Sequence, residues 1–225
     1  MGPEAAAAEE ARPGEKLSVL PQRPPDACAA LVLAHGAGAG MAHPFMAGLA
    51  DDLAARGIAT LRFDFPFMAR GSKRPDPPAV AHAAVRAAVA LARQRWPDLP
   101  LFAGGKSFGG RMTTQAQAAA PLEGVRGIVL AGFPLHPAGR PGIERAAHLL
   151  AVGCPMLFVQ GTHDKLAEPA LLQAALQPLG TRATLSSIAQ ADHAFHVPAR
   201  SGRTDDEVRA AVAELIAGWC RGLSA

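Results

Sequence analysis

With 225 residues, 49% of them hydrophobic, the chain is long enough to bury one substantial core, and a packed globule is predicted rather than a disordered chain. The formal charge of +3 is spread thinly, and its one local cluster, Arg70, Lys73 and Arg74, reads as a solvated loop, so a nucleic-acid-binding face is not expected. The cysteines Cys28, Cys154 and Cys220 are far apart and form no CxxC or His/Cys pair, which argues against a zinc motif and a disulfide framework and fits a reduced, cytoplasmic chain.

The opening stretch, MGPEAAAAEEARPGEK, carries acidic residues and no basic segment ahead of an apolar run, so it does not read as a secretory signal. Alanine at position 6 breaks the myristoylation pattern that Met1 and Gly2 begin. A poorly ordered tail is expected over residues 1–14, followed by one domain over 15–225. No apolar run approaches the roughly 18 residues of a membrane span.

After the tail, KLSVLPQ predicts a short edge strand, stopped by Pro21 and the RPPD that follows. ACAALVLAHG is a continuous apolar run of the kind buried on both faces of a parallel sheet. Phe45, Met46, Leu49 and Leu53 recur at helical spacing over residues 43–56, ending at Gly57. GIATLRFDF is the next strand, and PPAVAHAAVRAAVALARQRW is a helix opened by prolines and closed by Pro97. LPLFAGG then predicts a strand, residues 108–119 a helix, and VRGIVLAGF a strand. A Pro/Gly-rich connection with a short helix near 143–151 leads to the strand CPMLFVQG, the helix PALLQAALQPL and the strand ATLSSIA. Residues 204–222 form a closing helix, with Thr204 and Glu207 spaced as a capping box. Strand and helix alternate throughout without a repeat, which predicts a single α/β domain with a mostly parallel sheet between helices. Functional residues in such sheets gather beyond the carboxyl ends of the strands.

One such junction, LFAGGKSFGGR at residues 101–111, admits two chemistries. Gly-Lys-Ser could end a phosphate-binding loop, but that loop requires a glycine five positions before Gly105, where the chain has Pro100. Residues 101–103 belong to the strand itself and leave no room for a phosphate wrap. Asp64, at the end of an earlier strand, is a weak imitation of the acid such a site needs. The alternative is a strained strand-to-helix turn, Gly105-Lys106-Ser107-Phe108-Gly109, that presents Ser107 as a nucleophile. Small residues two positions either side of the serine keep side chains from colliding with the adjoining elements.

A serine hydroxyl needs a base, and the base needs an orienting acid. Asp164 follows the strand PMLFVQG, and His193 follows the strand ATLSSIA, so acid and base come in the order that an elbow hydrolase requires. An oxyanion hole is expected from the N–H of Phe108 and from the glycine-rich loop HGAGAG, residues 35–40, where Ala37 is the expected donor. Together these stretches resemble the α/β-hydrolase superfamily, in particular its small dienelactone-hydrolase-like branch, which includes predicted hydrolases of the testis-expressed type. The resemblance covers nearly the whole chain after residue 15 and implies a triad of Ser107, His193 and Asp164. It departs from true dienelactone hydrolases, whose nucleophile is cysteine.

Several side chains have rival readings. His196 competes with His193 for the role of base, and His163 precedes the acid too closely to serve it. Asp192 is expected to be structural, and His35 to fix its loop by bonding to the backbone. Lys106 is expected beneath the elbow or paired with an acid, and Arg111 in an internal salt bridge. Phe65, Phe67, Met68 and Phe133 are expected as walls of the site or as core, and no role is assigned to His136 or His148. The sequence thus predicts a serine hydrolase, carboxylesterase-like, acting on a small acyl substrate without a cofactor, metal, nucleic acid or membrane. The short stretch between residues 134 and 154 predicts an open site with little or no lid. The competing reading is a catalytically silent α/β-hydrolase fold kept as a scaffold, whose signature would be a degenerate triad. Oligomeric state is not legible in the chain.

Overall fold

The computed structural model describes residues 17–224; the tail expected over residues 1–14 lies outside them. Seven strands form one sheet in the order β1-β3-β2-β4-β5-β6-β7. They are β1 Val19–Gln22, β2 Ala29–Ala34, β3 Ile58–Phe63, β4 Leu101–Lys106, β5 Val125–Ala131, β6 Met156–Gly161 and β7 Ala183–Ile188. All pair in parallel except β1, which lies antiparallel against β3 at the sheet edge, where its Pro21 is tolerated.

The helices are α1 Pro44–Ala54, α2 Pro66–Ala69, α3 Pro78–Arg95, α4 Phe108–Ala119, α5 Pro169–Leu176 and α6 Asp205–Gly222. Pro44, Pro66, Pro78 and Pro169 each open a helix, where a missing N–H costs nothing and φ is already near the helical value. α6 starts on the expected capping box, with Thr204 accepting from Glu207 N–H and Glu207 accepting in return from Thr204 N–H. α2 was not foreseen. The stretch PALLQAALQPL is helical only to Leu176, after which residues Gln177–Arg182 form a 3-10 turn. Pro178 is the cause, since it has no N–H to continue the α-helical ladder. The short helix near 143–151 is also 3-10, over Glu144–Ala151.

Alternate residues of β2 face opposite cores. Ala30, Val32 and Ala34 pack with Val85 of α3 and Met112 of α4. Ala29, Leu31 and Leu33 pack with Leu49 of α1 and Val212 and Ile216 of α6. Burial on both faces explains why β2 reads as an unbroken apolar run.

From β2 the chain turns to one side to make β3, then crosses over through α3 to place β4 on the other side of β2. That reversal opens a crevice beyond the carboxyl ends of β2 and β4. The loop after β2 and the turn after β4 are the HGAGAG stretch and the Ser107 turn. No described helix is long and apolar enough to cross a membrane.

Candidate active site

Ser107 stands between the end of β4 and the start of α4 with φ 51° and ψ −113°, a backbone conformation that a side-chain-bearing residue rarely adopts. Its N–H donates to Ala131 O of β5 at 3.0 Å, and its carbonyl accepts from Arg111 N–H at 3.1 Å, so the turn is tied at both ends. The flanking glycines are a steric need. A Cβ on Gly105 would come within 2.2 Å of Ala34 O, and one on Gly109 within 2.6 Å of both Ala34 O and His35 O.

Two side chains from later loops reach this serine. His193 Nε2 lies 2.8 Å from Ser107 Oγ, and His193 Nδ1 lies 2.7 Å from Asp164 Oδ2. The acid is fully buried, whereas the imidazole keeps 27% of its side-chain surface. Asp164 is held by further donors: Gln160 Nε2 reaches Oδ2 at 2.5 Å, and Leu166 N–H reaches Oδ1 at 2.8 Å. Gln160 is itself fixed, because its Oε1 accepts from Phe133 N–H at 2.8 Å. Sequence reasoning missed Gln160. Its one signal was a polar residue closing an otherwise apolar strand.

The His193 loop is shaped from within by Asp192, whose Oδ1 accepts from Ala194 N–H at 2.8 Å and from His196 N–H at 3.0 Å. That is the structural role expected of it. Phe195 adopts φ 65° here, its ring stacked on Phe45.

The loop after β2 lies against the turn, with a Cβ on Gly36 falling 3.8 Å from Ser107 Cβ. His35 fixes it as expected: Nδ1–H donates to Gly36 O at 2.7 Å, and Nε2 accepts from Phe65 N–H at 3.0 Å. Burial lowers the pKa of this ring, which keeps it in the neutral form that both bonds require. Asp64 closes the loop by accepting from Met41 N–H at 2.8 Å, a structural task unrelated to phosphate chemistry. Among the described residues, the N–H groups of Ala37 and Phe108 donate to no protein acceptor.

A family model described as the alpha/beta hydrolase domain matches residues 27–221. The chain belongs to this family. Similar solved structures include a dienelactone hydrolase from Anabaena variabilis, 25% identical over 95% of this chain and 93% of that one, with a TM-score of 0.73. An alpha-beta serine hydrolase homologue from Coxiella burnetii is 21% identical over 89% and 91% of the two chains, with a TM-score of 0.72. A serine hydrolase without lid from Xanthomonas campestris is 24% identical over 92% and 91%, with a TM-score of 0.70. Consistent with that fold, residues 132–155 between β5 and β6 hold only the 3-10 helix and make no lid.

The remaining polar groups of this α/β-hydrolase domain divide clearly. His196 points away from Ser107 to Asp205 at the start of α6, 2.8 Å from its Oδ2, and that pairing raises its pKa. His163 is exposed. Arg111 departs from expectation. Its Nε is buried without a hydrogen-bond partner, and no acid pairs with it among the described residues. Burial, and secondarily the nearby Arg145, lowers its pKa. From α4 it meets Arg145 and His148 of the 3-10 segment, while the carboxylate of that segment, Glu144, lies against Gly142. His148 is bonded to Thr114 Oγ1 at 2.8 Å, and its pKa is lowered to about 4 by burial and by Arg111. Phe108 packs edge-to-face against Phe65 and Phe67, which stack on each other under the loop after β2, and Phe133 packs edge-on against Phe158. Lys106 donates from Nζ to the main-chain oxygen of His193, rather than pairing directly with an acid.

Proposed function

We propose that the protein is a serine hydrolase that cleaves a small carboxylic ester or related acyl compound through Ser107, His193 and Asp164. The reading rests on one observation: the unbroken chain of hydrogen bonds from Ser107 Oγ through the imidazole to a buried carboxylate, ending on a serine in a strained turn. Asp164 accepts from Nδ1–H and so leaves the lone pair of Nε2 facing the hydroxyl. His193 then takes the Oγ proton as Oγ attacks the substrate carbonyl carbon.

The negative charge that develops on the carbonyl oxygen is met by the N–H groups of Ala37 and Phe108, which have no other partner among the described residues to give up. Collapse of the tetrahedral intermediate breaks the bond to the leaving group. His193 returns the proton to that group, leaving the acyl chain on Ser107. A water attacks the acyl-enzyme, His193 accepts its proton, and the acid is released as the proton returns to Oγ. The short β5–β6 connection favours small or flexible substrates.

The test is labelling with a fluorophosphonate probe alongside hydrolysis of p-nitrophenyl acetate. Folded wild-type protein is expected to label and turn over, and Ser107→Ala to do neither. Absent labelling of the wild type, or equal labelling of Ser107→Ala, would refute the proposal.

A further inference from the structure

Lys106 has no part in the mechanism above, yet its amino group sits at the centre of the site. Its Nζ donates to the carbonyl of His193, a residue 87 positions away. The same group lies 5.2 Å above the ring of Phe195, a left-handed residue of that loop. Gly132, at φ 67° after β5, makes the space: a Cβ there would fall 2.9 Å from Nζ and 3.6 Å from Cε1 of His193. The side chain therefore leaves β4 one residue before the nucleophile and ends beneath the imidazole.

We propose that Lys106 is a positioning residue for the base, its ammonium pinning the main chain of the His193 loop to the strand that carries Ser107. The inference rests on the reading of Ser107, His193 and Asp164 as the reacting set. His193 is then held at three points: Nε2 by Ser107, Nδ1 by Asp164 and the carbonyl by Lys106. The first two bonds hold the ring, and the third ties the main chain of His193 directly to the strand that carries Ser107. The other ties of the loop run to the loop after β6 and to α6: His163 N–H to Ala191 O, Gln190 N–H to Thr162 Oγ1, and His196 and Val197 N–H to Asp205.

A purely architectural role would be filled better by an apolar side chain. The residue keeps some surface, but its amino end is desolvated, which lowers its pKa to about 8 despite Asp164 and Asp192. Asp164 faces it from the loop after β6, and Asp192 and His193 face it from the loop after β7. A charge kept there against its own desolvation is explained by what it holds.

The experiment compares wild type, Lys106→Met, Ser107→Ala and His193→Ala as full chains. It measures thermal unfolding, the fluorophosphonate labelling rate, and kcat and KM on p-nitrophenyl acetate. Lys106→Met is expected to fold with undiminished thermal stability while labelling about 10- to 100-fold more slowly, with kcat reduced and KM unchanged. Labelling by folded Lys106→Met within about threefold of wild type overturns the positioning role while leaving the triad reading intact. No labelling of wild type, or undiminished labelling of Ser107→Ala, removes the triad reading and this inference with it. If Lys106→Met does not fold, Lys106→Gln carries the test: a labelling rate at least about tenfold below wild type is expected of the folded variant, and a rate within about threefold overturns the proposal.

Discussion

The two ends of the sheet are built differently. At the amino ends of the strands, charge stays in water. Arg93 pairs with Glu123 at 2.9 Å and Arg23 with Asp98 at 2.6 Å, all four side chains well exposed, around a groove floored by Trp96 and Leu101. At the carboxyl ends, polarity is buried. His35, Gln160 and Asp164 are each at most 3% exposed, and Lys106 joins them with a desolvated amino group. Backbone strain follows the same division: the non-glycine residues with left-handed φ among those described are Ser107, Gln190 and Phe195, all beyond the carboxyl ends of β4 or β7. Buried polar groups and strained turns each cost stability, so an unstrained sheet and two apolar cores must offset them. Their concentration at one end coincides with the proposed site, and substitutions there are expected to change activity, whereas those at the other end are expected to change stability alone.

The sharpest separation is expected from Asp164→Asn. It removes the acceptor that sets the imidazole tautomer, and p-nitrophenyl acetate turnover should fall by about 10⁴-fold. A fall of less than about tenfold would detach Asp164 from the reaction and weaken the contrast between the two ends.

Gly105→Ala tests the strained turn. The added Cβ meets a backbone oxygen that cannot swing aside, so chemical denaturation should show a loss of more than about 3 kcal/mol. Lys106→Met should do the opposite. Because burial lowers the lysine from its ordinary 10.5 to about 8, the folded chain binds this proton less tightly than the unfolded chain. The resulting penalty is fully present below about pH 8 and disappears as pH rises through 10.5. Removing the charge is therefore expected to stabilise the protein at pH 7 by at most about 3 kcal/mol, less the lost hydrogen bond. Denaturant midpoints across pH should show the gain shrinking between those values, and a gain independent of pH would contradict this account.

Two controls should be quiet. His196→Ala is expected to leave turnover unchanged, since the ring is 63% exposed and bonded to Asp205 rather than Ser107. If it abolished turnover while His193→Ala did not, the base would be misassigned. Arg93→Ala, at the amino ends, should cost under about 1 kcal/mol in denaturation and nothing in activity.

What could be read from the chain alone was whatever depends on neighbours in sequence. The order of strands and helices followed from the period of apolar residues. The capping box at Thr204 followed from a spacing of three, and the Ser107 turn from the glycines two positions either side of the serine. Pro100 removed the phosphate-loop reading for the same local reason. These are steric and hydrogen-bonding demands within one turn of backbone, so a short stretch carries them whole.

The tertiary structure decided what depends on distance between remote residues. It placed His193 rather than His196 against Ser107, because Asp192 folds the intervening loop back on itself and Asp205 holds the second ring. It brought Gln160 onto Asp164, left Arg111 without an acid among the described residues, and carried Lys106 under a loop 87 residues later. None of these contacts has a sequence period or a fixed spacing. Each exists because a parallel sheet brings the ends of separate strands to one edge.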